Sequence, residues 1–293
     1  MAGADGLLVL VALIWGFAFV AQRSGMEVIG PFAFGAARFA LGAFSLMPLL
    51  LLQRRREARK GLRPVRLGLS RRISWALGAG TVLFVAASLQ QIGLVHTTAG
   101  NAGFITCLYV VLVPLAGRLL GRPAGARIWA GAGLALAGLY ILSIGAGFSL
   151  APGDSLELLG AFFWTAHILI IAQAAARIDI LELSIGQFLT CAALSLAAAL
   201  VREPAPFRGL GAAAPNILYG GLLSVGVAYT LQVAAQRKAH PAHASIIMSL
   251  ESLFAAVGGV LLLHEPLTTR LFLGGTLMLA GMVVSQLQPR KTP

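Results

Sequence analysis

Apolar residues run through this chain in long unbroken stretches, and polar residues gather in the short segments between them. A helix that crosses a bilayer needs about 20 mostly apolar residues. Ten stretches qualify: residues 7–22, 31–52, 74–94, 99–120, 127–145, 156–176, 181–201, 214–235, 243–263 and 270–288. They are continuous rather than alternating, and too long for strands, so the expected fold is all-α. Pro114 lies inside the fourth, where a missing backbone donor predicts a kink. The ninth reads SIIMSLESLFAAVGGVLLL from 245 to 263 and carries one carboxylate, Glu251, near its centre. A carboxylate at that depth needs a proton, a partner or a wet cavity.

Composition turns the pattern into a class. Of 293 residues, 58% are hydrophobic and 11% charged, against about 25% charged in soluble domains. The expected class is an integral membrane protein, with lipid as its surroundings. The 35 glycines fit helices in close contact. The net charge of +12 does not point to nucleic acid, because the basic residues lie between the apolar runs. They set direction instead. The segment QRRREARKGLRPVRLGLSRR holds nine of the 22 Lys and Arg. With that loop in the cytoplasm, ten spans put both termini there too. Seventeen basic residues then face the cytoplasm, four face outward, and Arg38 lies within the second span. Anionic lipid is a compatible contact for the basic loop. Cys107 and Cys191 fall inside apolar runs without metal-ligand spacing and read as small buried hydrophobes. MAGADGLLVLVALIWGFAFVAQ lacks a basic leading region and an evident cleavage site, so it reads as the first span.

The chain also matches itself. At a fixed offset of 143, Pro123, Arg127, Gly131 and Gly138 fall on Pro266, Arg270, Gly274 and Gly281, with no gap. Trp15 and Trp164 occupy similar places in the first helix of each half. The expected halves are residues 1–149 and 150–293, five spans each. Five is odd, so the second copy enters from the opposite side and the repeats are inverted. Inverted repeats typify secondary transporters, whose halves frame a central site and expose it to each side in turn.

The stretches LIWGFAFVAQRSG, ARFALGA, LQQIGLVHTTAGNAGFITCLYVVLVPL and LQVAAQRKAHPAHASIIMSLESLFAAVGGVLLLHEPL resemble the drug/metabolite transporter superfamily, with two EamA-type five-helix halves. The resemblance covers nearly the whole chain. It implies a ten-helix, proton- or gradient-linked permease of small metabolites in a bacterial inner membrane, with spans 1, 3, 4, 6, 8 and 9 around the cavity. One departure stands out: where many members have LEP in the ninth span, this chain has LES with Ser252, and a bend there loses its proline.

Polar side chains inside spans mark candidate chemistry. Ser245, Ser249 and Ser252 lie on one face of the ninth span; their repeat partners are Ala102, Thr106 and Tyr109. Two facing stripes suit a central site, although serine and threonine also bond to their own preceding turn. Tyr229, Gln232 and Gln236 add a face of the eighth span, Gln90 and Gln91 lie in the third, and Asn101 opens the fourth. Such a lining suits a polar or zwitterionic solute, not a metal ion, which wants several carboxylates. Trp15 and Trp164 can stack on a flat ligand or serve packing. His167, in FFWTAHILII, can relay a proton or be a neutral structural group. Arg38 can bind an anionic group, or snorkel or pair structurally. His264 and Glu265 read as an exposed turn or a gate. At about 100° per residue, Glu251 lies about 120° from the serine stripe. It shares a face with Ala244, Ala255 and Gly258, so it is expected to reach between helices rather than into the cavity. Proton coupling and structural locking both remain open for it.

The leading expectation is a secondary transporter of small organic metabolites, chiefly outward, by alternating access. No P-loop occurs, and neither H-E-x-x-H nor G-x-S-x-G is present. An intramembrane enzyme, or a sensor or assembly factor without transport, is the alternative. No cofactor or catalytic residue is expected, and the oligomeric state is open.

Overall fold

The computed structural model describes residues 2–61, 67–97, 99–143, 152–262 and 268–287. The regular elements among them are all helical. The first half holds α1 (Ala2–Met26), α2 (Pro31–Arg59), α3 (Leu69–His96), a fourth span in two pieces, α4 (Ala99–Thr106) and α5 (Tyr109–Leu119), and α6 (Ala126–Ser143). The second half opens with α7 (Asp154–Ala174) and α8 (Ile180–Arg202). Its eighth span joins α9 (Ala214–Leu218), a π-helical stretch (Tyr219–Tyr229) and α10 (Thr230–Gln236). The ninth is again divided, into α11 (Pro241–Met248) and α12 (Glu251–Leu262), and α13 (Thr269–Gln286) is the tenth. His264, Glu265 and Pro266 lie outside the described residues, as does the side chain of Asn101.

Eight of these spans are long and apolar enough to cross a membrane by themselves. Ala126–Ile141 is a shorter apolar helix, and α13 packs along it as the tenth. Large apolar side chains such as Phe44, Leu51, Phe162 and Phe272 stand exposed on the outside. In water such a surface would be a liability; in a bilayer it is the face that lipid covers. The protein is an all-α integral membrane protein of ten helices in two inverted repeats.

The inversion is visible in the packing of the two closing helices. A Cβ on Gly131 would stand 2.6 Å from the Gly281 carbonyl oxygen, and one on Gly281 would stand 2.6 Å from that of Gly131. Gly138 approaches the Gly274 carbonyl as closely, at 2.6 Å. The glycines that match in sequence are therefore the ones that meet crosswise, as a pseudo-two-fold axis in the membrane plane requires. A side chain at Gly131, Gly138 or Gly281 would force α6 and α13 apart.

Helix ends are satisfied by long-range partners. Glu203, at the end of α8, accepts from Phe32 N at 2.8 Å and Ala33 N at 3.2 Å, placing a carboxylate on the positive end of α2. Asp179 caps α8 by accepting from Leu181 N and Glu182 N. Arg54 and Arg72, from the basic connection, pair with Glu182.

The fourth span does not divide at Pro114. Its ladder tightens earlier, where Leu108, Val110 and Val111 donate to carbonyls three residues back instead of four. The ninth span tightens at the equivalent place without any proline: Leu250 donates to Ile247, and Ser252 to Ser249. Here the serines supply the cause. Ser245 and Ser249 hydroxyls donate to Ala242 and Ile246 carbonyls at 2.8 Å, and such back-bonding bends helices. Short 3₁₀ turns within a helix are hinge-like features.

Candidate functional site

The two tightened turns meet at the centre of the bundle. Ser252 Oγ donates to the Gly103 carbonyl at 3.0 Å, and Cys107 Sγ lies 2.9 Å from Ser252 Oγ. Around this crossing, first, second, third, fourth, sixth, eighth and ninth spans line a cavity of about 40 Å3. Discontinuous helices at a repeat interface are a recurrent way to build a transport site, because their loosened backbone lines a cavity rather than lipid.

Three rings form one wall. Trp15 and Tyr229 lie with centroids 4.7 Å apart, and Trp164 stacks on Tyr229 at 6.4 Å and 21°. Trp15 is held by its indole N–H, which donates to the Ser224 carbonyl at 3.2 Å. That carbonyl belongs to the π-helical stretch, where the normal i→i−4 ladder is given up. Tyr219, at the start of the same stretch, donates to the Ile14 carbonyl at 2.9 Å and ties it to α1 a turn away.

Polar groups share the rest of the lining with Phe19, Ile168 and Met248. Gln22, Arg38, Gln90, Thr106, Tyr109, Gln232 and Glu251 all line the cavity. Glu251 accepts from the Tyr109 hydroxyl at 2.9 Å, across the two halves. The expected bond between helices is present, but the carboxyl also faces the cavity. The expectation from helical phase assumed an uninterrupted ninth span. The turn at Ser249 and Leu250 resets the phase just before Glu251.

The structure brings together Trp15, Thr106, Tyr109, Trp164, Tyr229, Gln232 and Glu251 of the expected residues. It leaves others behind the wall. Ser249 is fully buried and spends its hydroxyl on Ile246, while Ser252 bonds to Gly103. The serine stripe therefore bends and joins helices rather than lining the cavity. His167 is fully buried behind the rings, 2.8 Å from Gln187 Oε1 and edge-on to Tyr229. Gln91 is buried outside the lining, where its neighbour Gln90 takes the place facing the cavity.

Of the lining groups, Gln22 was missed, while Arg38 was noticed and left undecided. Gln22 and Arg38 bond to each other, Nη1 to Oε1 at 3.1 Å. Arg38 carried the signal, as a charge inside a span. Glu157 was also passed over: it is fully buried and accepts from Thr106 Oγ1 at 2.9 Å. It too is an acid within a predicted span. No group of three or more potential metal ligands occurs among the described residues.

Comparison with known proteins agrees with this architecture. The EamA-like transporter family model matches twice, over residues 3–144 and 151–286. An uncharacterized transporter of Archaeoglobus fulgidus is 31% identical over 286 residues, 97% of this chain and 86% of its own. The uncharacterized transporter YoaV of Bacillus subtilis is 22% identical, covering 95% of this chain and 94% of its own. A solved crystal structure superposes with a TM-score of 0.79 at 20% identity, over 98% of this chain and 97% of that one, and so shares the fold. With both halves matched and the relatives aligned nearly end to end, the chain belongs to the EamA-like transporter family and is a membrane transporter.

Proposed function

We propose that the protein is a secondary transporter of small polar or zwitterionic organic metabolites. It exports them across a bacterial inner membrane by alternating access, with both termini cytoplasmic. The observation that carries the reading is the cavity itself: lined by polar and aromatic side chains from both halves, and built where the broken fourth and ninth spans cross. The basic connection after α2 supports the orientation.

In this reading Trp15, Trp164 and Tyr229 hold the flat or apolar part of the solute. Thr106, Tyr109 and Gln232 offer hydrogen bonds. Glu251 is the coupling carboxyl, since it faces the cavity and touches both broken helices. His167 steadies the rings from behind rather than carrying the proton. Rocking of one half against the other about the two turns would open each side in turn.

Counterflow in proteoliposomes tests the reading. Labelled solutes from a panel of amino acids, nucleobases and short organic acids are offered outside vesicles preloaded with the unlabelled compound. At least one should enter faster than into empty vesicles, and Thr106→Phe should abolish that entry while the protein stays monodisperse. Chemical conversion of a solute without movement would sink the proposal. Glu251→Gln should keep counterflow but lose accumulation driven by a pH gradient; accumulation at the wild-type level would remove Glu251 from coupling.

A further inference from the structure

Arg38 is the one cationic group among the residues that line the cavity. It stands in α2, seven residues beyond Pro31, or about 10 Å along the helix at 1.5 Å per residue. Its side chain is only 3% exposed. A snorkelling arginine would carry its head to the membrane surface; this one turns inward.

A structural ion pair does not account for it either. Among the described residues, no carboxylate lies within ion-pair distance of Arg38. Its one protein acceptor there is the neutral amide of Gln22, and Nε has no partner. The guanidinium carbon sits 5.5 Å from the Phe34 ring centroid and 4.8 Å from that of Phe39. Those rings flank and steady the group but bring no negative charge.

Burying a cation without a counter-charge is costly, several kcal/mol for an ion in real proteins even after relaxation. A guanidinium offers five N–H donors in a rigid planar fork, matched to the two oxygens of a carboxylate. Here most of that fork is unspent, and it borders empty space. The cavity's acid, Glu251, is already engaged by Tyr109.

We infer that Arg38 is the anion-recognition element of the transport site, pairing with a carboxylate on the solute, and that Gln22 holds the guanidinium in position. The inference rests on the cavity being the solute site, and it narrows the solute class to molecules with a carboxylate. The three-ring wall takes the rest of the molecule. Solutes that are only cationic or neutral are disfavoured, since they leave the arginine unpaired.

Binding to the purified full chain in detergent tests this without needing transport. Acetate, phenylacetate and succinate are each compared with the matching amide by thermal shift and by quenching of tryptophan fluorescence, to which Trp15 and Trp164 contribute. At least one carboxylate should bind about tenfold or more tightly than its amide, the scale of one charge-assisted pair. Arg38→Gln should reduce that carboxylate to the level of the amide. Arg38→Lys keeps the charge without the fork and should weaken the carboxylate while leaving the amide unchanged; it carries the test if Arg38→Gln does not fold. Carboxylates that bind no better than their amides, or that bind the lysine variant as tightly as the wild type, overturn the inference. Carboxylate binding without counterflow would instead leave Arg38 in place and overturn the transporter reading. Counterflow of neutral solutes alone would overturn the anion site and keep the transporter.

Discussion

Asp5 and Asp154 stand at equivalent places, each ten residues ahead of the tryptophan in its span, and each reaches into the other half. Asp5 meets His243, at the head of the ninth span, with Oδ1 2.9 Å from Nε2. Asp154 accepts from the Thr97 hydroxyl, at the junction of the third and fourth spans. The repeat thus builds one cross-half clasp at the end that carries the termini and one at the opposite end. Their chemistry differs. The Asp154 clasp is sealed: the aspartate is 3% exposed, and Arg23 braces its partner by donating to the Thr97 carbonyl at 3.2 Å. The Asp5 clasp is looser, with the aspartate side chain 15% exposed. It also ties a third helix, because His243 Nδ1 lies 2.9 Å from Ser285 Oγ in α13. An inverted repeat fixes where such contacts fall; it does not fix what they are made of. If the two ends part in turn, as alternating access requires, they part under different conditions.

The sharpest way to break the comparison is at the sealed end. Thr97→Val keeps the shape and removes the hydroxyl, leaving a buried carboxylate short of a donor. Hydrogen bonds to charged groups contribute about 1.5–3 kcal/mol, and the loss of one from a dry site falls toward the top of that range. Thermal unfolding in detergent, followed by tryptophan fluorescence, should show it as the larger drop of the pair. Asp5→Asn at the other end should cost less, about 1 kcal/mol, because water reaches the remaining groups and Ser285 keeps its bond to the Met282 carbonyl. Equal losses at the two ends would mean that burial does not separate them.

The same contrast explains what could be read from the sequence. The ten spans were legible because the bilayer imposes a length and forbids long polar interruptions. The repeat was legible because Gly131, Gly138 and Gly281 must each stay small for α6 and α13 to touch. The site was legible only in part. Thr106, Tyr109 and the aromatic residues still reach the cavity, although the fourth span divides between Thr106 and Tyr109 and Tyr229 ends a π-helical stretch. Glu251, Ser249 and Ser252 depart from their expected places, because the turn before Glu251 depends on hydroxyl back-bonding and on contact with the fourth span. Arg38 was seen but left undecided, since its meaning lies in what is absent around it. Neither aspartate clasp leaves a local pattern, as its partner is more than 50 residues away.

The smallest expected effect sharpens the comparison through pH. His240 lies in the connection between the eighth and ninth spans, just ahead of Pro241 and outside the membrane-crossing segments. Partial burial of its ring, with His243 and Arg122 beside it, holds the imidazole below the usual histidine range. Such a group stays neutral in the folded protein while the unfolded chain already binds a proton. Stability is therefore full above the ordinary histidine value and declines as pH falls through it toward the folded value. The ring still reaches solvent, so screening keeps the decline modest. Wild-type protein should melt at a lower temperature in mild acid than at neutral pH, and His240→Gln should lose part of that difference. Thr97→Val, at the end without this pair of histidines, should keep the wild-type slope while lying lower at every pH. A slope that changes in Thr97→Val but not in His240→Gln would place the acid sensitivity at the sealed end and reverse the assignment.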